Sequence, residues 1–152
     1  MPVAVANEQR RVRVSLPRVR ATGERALAAL GRAEAEVHVT LVDDARMRAL
    51  HRRYLGRATP TDVLAFDVAG PAPVPLLGEV VVSTQTAARQ ARRLRMPLAL
   101  EVDMLVVHGM LHLVGYDDHD PGDARRMHAR AREILSAGRS RQIPARFWTD
   151  LL

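Results

Sequence analysis

His108 and His112 stand four residues apart, so on a helix their imidazoles lie on one face, one turn apart, in the spacing that grips a metal ion. Two ligands do not make a site. Gly115 is placed to end such a helix, and the chain then offers Asp117, Asp118, His119 and Asp120 where it turns back. A single histidine reads as core packing, but two on one stripe before an acidic turn need partners, because buried polar groups are satisfied. The chain has no cysteine, so imidazole and carboxylate must supply every ligand. Zinc fits that set best, one ion per chain, with nickel, manganese or iron as other divalent candidates. Three protein ligands leave a position open for water, which marks a catalytic zinc.

The elements that must position these residues follow from periodicity. Leu98 to Val114 is too long and apolar to be anything but a central, mostly buried helix, with the metal site at its end. Arg11 to Leu16 alternates and reads as a strand, followed by a helix from Pro17 to Gly31. Glu36 to Val42 is a second strand with Val37, Val39 and Leu41 on one face. Asp43 and Asp44 then cap a helix to Leu55 in which Met47, Leu50 and Tyr54 share a face. Gly56 stops that helix. Val63 to Phe66 and Gly78 to Ser83 read as strands, separated by a Pro-rich loop at Gly70 to Pro75. Helices over Thr84 to Arg95 and Gly122 to Ser136 complete the chain, and Phe147 and Trp148 in the tail cap the core. The expectation is an α/β (α+β) fold: a small mixed sheet of about four strands with about five helices, in one domain spanning residues 1–152.

Composition bounds the partners. The chain has 152 residues, 47% hydrophobic and 3% aromatic, with a formal net charge of +6. A basic balance suits a polyanion such as RNA through phosphate neutralisation, although every basic residue is arginine, as a compositional bias of the genome would also give. The N-terminus becomes charged too early for a signal peptide or membrane span, so the expectation is a cytoplasmic protein with no membrane partner.

His108-Gly-Met-Leu-His-Leu-Val-Gly-Tyr-Asp117 resembles the signature of the YbeY family of bacterial endoribonucleases. Tyr54-Leu-Gly-Arg-Ala-Thr-Pro-Thr-Asp-Val-Leu-Ala-Phe66 is similar to the family's Pro-Thr-Asp-Val-Leu-Ser-Phe segment, and Leu77 to Ser83 to its Gly-Asp-Ile-Val-Ile strand. The resemblance implies a metal-dependent, single-strand-preferring endoribonuclease acting in small-subunit ribosomal RNA maturation and ribosome quality control, with ribosomal RNA and the ribosome or its associated factors as partners. Two positions depart from it. The family's third histidine falls where this chain has Asp118, and His119 follows one residue later. Met127 keeps its family spacing if Asp118 is the ligand, which favours Asp118 over His119; His119 then becomes an outer or proton-transfer group. Leu55 stands where many relatives carry an arginine, and Arg53 or Arg57 is the available substitute.

Phosphodiester hydrolysis needs a polarised phosphoryl oxygen and an activated water, both within a metal's reach. Arg52, Arg53 and Arg57 are the arginines placed to hold phosphate bidentately. A zinc protease shares the two helical histidines but needs a glutamate directly after the first, where this chain has Gly109; Glu101 is too far along the helix to replace it. The rival of another class is a non-catalytic, metal-stabilised RNA- or ribosome-binding factor with both Asp118 and His119 bound and the site closed. His38 and His51 read as solvent-side, His128 as structural or exposed, and Asp62 as fixing its own loop by local hydrogen bonds.

Overall fold

The computed structural model describes residues 2–55, 61–67 and 76–136. Four strands form one mixed sheet in the order β1 (Val3–Asn7), β2 (Glu36–Val42), β4 (Leu76–Ser83), β3 (Val63–Asp67). The first three run parallel, and β3 lies antiparallel against β4. Parallel neighbours need crossovers, which α1 (Leu16–Ala29) and α2 (Asp44–Leu55) provide. The remaining helices are α3 (Thr84–Leu94), α4 (Leu98–Leu113) and α5 (Pro121–Ser136).

The expected first strand is displaced: Arg11 to Leu16 is not a strand, and β1 is Val3–Asn7. The cause is Gln9. Its buried side chain accepts hydrogen bonds from the backbone N–H groups of Arg11 and Val12 and donates to the Val12 carbonyl and Asn7 Oδ1, so the backbone groups a strand would use are spent on a turn. Ser15 then caps α1 by accepting from Arg18 N. Val3 is wholly buried, pairs with Val37 and packs so closely on α1 that a Cβ added at Gly23 would lie 3.0 Å from Val3 Cγ1.

The other elements fall where periodicity places them, within a few residues at their ends. On β2 and β4, Val37, Val39, Leu41, Val80 and Val82 face the main core with α1, α4 and α5. The alternate residues Val42 and Val81, with Leu64 of β3, form a smaller core on the opposite face under Met47 and Leu50 of α2. Asp43 caps α2, accepting from Arg46 N at 2.8 Å. Asp44 ties α2 to α3: it accepts from Ser83 Oγ, Thr86 Oγ1 and Arg89 Nη1, each at 2.7 Å. Partial burial opposes its ionisation, yet the bonds from Arg89, Ser83 and Thr86 hold its pKa down to about 2.

α4 is buried on nearly all sides and touches α1, α3, α5, β3 and β4. A Cβ added at Gly109 would stand 2.6 Å from Val80 Cγ1, so this residue lets the helix lie directly on the sheet. The buried Asp103 is held by Arg18 at 2.8 Å and Thr22 at 2.9 Å. Among the described residues, no single helix is long and apolar enough to cross a membrane. The Gly56 stop, the Pro-rich loop at Gly70 to Pro75 and the tail aromatics Phe147 and Trp148 lie outside the described residues.

Candidate metal centre

The last two turns of α4 present His108 and His112 to a turn whose residues divide the work. Gly115, at φ +101°, reverses the chain, with Tyr116 N bonded to Leu111 O at 3.0 Å. Asp117 Oδ1 accepts from the backbone of Asp118 and His119, and Asp120 caps α5 by accepting from Asp123 N at 2.8 Å. Asp118 is thereby left to face the histidines.

His112 Nε2 lies 3.1 Å from His108 Nε2, and Asp118 Oδ2 is 3.8 Å from His108 Nε2 and 3.9 Å from His112 Nε2. Ligands at about 2.0–2.1 Å around a tetrahedral ion stand roughly 3.3–3.4 Å apart, so the triangle needs only tenths of an ångström of adjustment. His112 Nδ1 is 3.1 Å from the Tyr116 carbonyl; as the donor there it turns a lone pair on Nε2 toward the triangle. Burial first, and then the neighbouring His112 imidazole, lowers the His108 pKa against the opposing pull of Asp62 and Asp118. Imidazole nitrogens this close share either a proton or a metal ion. His119 stands apart from the two histidines: its side chain is 87% exposed, 3.5 Å from Asp117 Oδ1, and it groups with Asp117 and Asp118.

The triangle borders a cleft of about 490 Å³ between α4, α5, the last turn of α2 and the start of β3. Two sequence expectations are corrected there. His51 is buried, not solvent-side, and both His51 and His128 line the cleft. The signal was present: His51 follows Met47 by four residues on the buried stripe of α2, and His128 follows Ala124 by four on α5. Asp62 is not held by local bonds alone. Its carboxylate accepts from Gln90 of α3 at 3.2 Å while it lines the cleft, and its carbonyl accepts from Ser83 N. Arg52 and Arg53 are exposed on the last turn of α2, whereas Arg57 lies outside the described residues, as does the side chain of Leu55. Glu101 is fully buried, and among the described residues neither of its oxygens has a hydrogen-bond partner. Burial, reinforced by Asp62 and partly offset by Arg93, raises its pKa to about 7.

The comparisons with known proteins agree on one family. A family model described as Endoribonuclease YbeY matches residues 4–138. A protein named Endoribonuclease YbeY from Anaeromyxobacter sp. (strain Fw109-5) is 46% identical over 138 residues, 90% of this chain and 72% of that protein. One of the same name from Geobacter metallireducens is 39% identical over 142 residues, covering 90% of this chain and 95% of its own. The solution structure of TM1509 from Thermotoga maritima superposes with a TM-score of 0.62 over 98% of this chain and 91% of that one; at 21% identity it shows the fold alone.

Proposed function

This chain belongs to the YbeY endoribonuclease family, and from that premise we propose that it hydrolyses single-stranded RNA at one zinc ion held by His108, His112 and Asp118. The observation that carries the ligand set is the triangle of donor atoms, with edges of 3.1, 3.8 and 3.9 Å, at the rim of a cleft large enough for a nucleotide. When bound, the ion supplies charge for the phosphoryl oxygen and acidity for an attacking water.

The chain's own residues bind and orient. His112 is fixed by the Tyr116 carbonyl, and Asp118 by the turn that Asp117 closes. Arg53, exposed on the last turn of α2, and Arg57 hold the phosphate of the scissile link, in the place the family gives to an arginine at the position of Leu55. His119, exposed next to Asp118, exchanges protons with solvent near the ligand set. Its position beside Asp117 supports an open three-ligand site over a closed four-ligand one, and so a catalytic protein over a purely binding factor. The physiological setting of this reading is small-subunit ribosomal RNA maturation and ribosome quality control in the cytoplasm, with residues 1–152 acting as one domain.

Metal content and cleavage of single-stranded RNA, measured together for wild type, His112→Ala, Asp118→Ala and His119→Ala, test it. Wild type carries one zinc per chain and cuts. His112→Ala and Asp118→Ala lose metal affinity by more than about 100-fold, beyond the range of an outer partner, and lose cleavage with it. His119→Ala keeps its metal. Loss of metal in His119→Ala but not in Asp118→Ala would reassign the third ligand, and a metal-loaded wild type without cleavage would leave a binding factor.

A further inference from the structure

The seven arginines of α2 and α3 against the single Asp44 give those two helices a net +6. On α5, by contrast, arginines meet acids on their own helix: Arg126 pairs with Asp123, and Arg130 with Glu133. On α2 and α3, Arg89 pairs with Asp44.

Placement turns the excess into a surface. Arg48 and Arg52 lie four apart on α2, Arg89, Arg92 and Arg93 follow three- and four-residue spacing on α3, and all are exposed. Asp44 ties the start of α2 to Ser83, Thr86 and Arg89, so the two stripes belong to one joined pair of helices. α2 contributes His51 to the wall of the cleft, and α3 reaches it through Gln90, which donates to the cleft-lining Asp62. Exposed arginines on two joined helices, one of which helps to wall a cleft for one nucleotide, match a chain of phosphates longer than the cleft.

We propose that the exposed arginines of α2 and α3, Arg48, Arg52, Arg92 and Arg93 foremost, form a track for the RNA backbone flanking the cleavage site. This rests on the reading of the chain as a ribonuclease and adds where the uncut part of the substrate lies. The contacts are to phosphate, so the track sets affinity and salt dependence, and base identity does not enter.

The test compares wild type with the double variant Arg48→Gln/Arg92→Gln on a long single-stranded RNA and on an oligonucleotide short enough to occupy the cleft alone. The double variant is expected to raise KM for the long RNA by about 10-fold and to flatten the dependence of log affinity on log salt by about 1.4, two single-strand contacts' worth. On the short oligonucleotide kcat and KM stay as in wild type. An unchanged salt slope and KM on the long RNA would overturn the proposal, and so would equal losses on both substrates, which point to a damaged cleft. Polyglutamate is the competing probe: a variant that keeps its RNA slope but no longer binds polyglutamate would reassign the face to an acidic protein. RNA binding and cleavage read together on wild type separate the two readings, since a wild type that binds the long RNA with the steep slope but never cuts fails as a nuclease and keeps the track.

Discussion

A buried carboxylate without a hydrogen-bond partner costs stability whenever it is charged, and among the described residues Glu101 is such a group, two turns before His108 on α4. Its pKa rises from 4.5 to about 7, through burial first and the nearby Asp62 second. A folded-state value above the unfolded one means that the native chain takes up a proton the unfolded chain does not. The associated stability is complete below pH 4.5 and is lost as pH rises through 7, amounting to about 3 kcal/mol. Glu101→Gln should therefore gain on wild type between pH 5 and pH 8 by up to about 3 kcal/mol, read from urea denaturation at both pH values. A difference that does not vary with pH would mean the carboxylate has found a counter-charge. At this scale the sequence was informative about the ligands and poor about their surroundings. His108 and His112 stand out by their spacing and Asp118 was favoured over His119 only through the family resemblance, whereas His51, His128 and Glu101 are single ionisable residues whose importance comes from what tertiary packing sets beside them.

At the scale of the element, α4 is both the core of the protein and the mount for two of the proposed ligands, so its seat on the sheet decides where they point. Gly109, between them, is the point of closest approach, 2.6 Å from Val80 Cγ1 and 3.2 Å from Val63 Cγ2 once a Cβ is added. In an open helix Gly→Ala would gain about 1 kcal/mol. Here Gly109→Ala should instead lose about 1–3 kcal/mol by overpacking and weaken zinc binding as α4 is pushed off β4. Thermal denaturation and metal titration of the one variant read both. Unaltered stability would show that Val80 yields without moving the helix. Periodicity made α4 legible because sixteen residues of mostly apolar sequence admit no other element. It misplaced β1 because alternation in Arg11 to Leu16 is a pattern of side chains, and the outcome turned on backbone donors that Gln9 captured.

Across the whole molecule, the two cores sit on opposite faces of one sheet, and the cleft opens where α2, β3, α4 and α5 converge. An ion that binds only the folded state stabilises it by about 2.7 kcal/mol at a hundred times its Kd, so stripping the proposed zinc with a chelator should lower Tm by roughly 5–10 °C. His112→Ala should show no such drop, and an equal drop in both would place the stabilising ion elsewhere. The mixed sheet and its layer of helices were legible from the alternation of strand and helix signals. The clustering of charge on α2 and α3 was not, because net charge is a sum and only the fold says which terms are neighbours. The turn after α4 has one more consequence, in time instead of space. His108, His112 and Asp118 are joined by a short, continuous stretch of chain, while the cleft needs His51, Thr61 to Ala65 and His128 to come together from far apart in sequence. Local contacts form early in folding and distant ones late. A nascent chain could therefore capture its metal before it has any cleft to use it in, and the ability to cut RNA would be the last property it acquires.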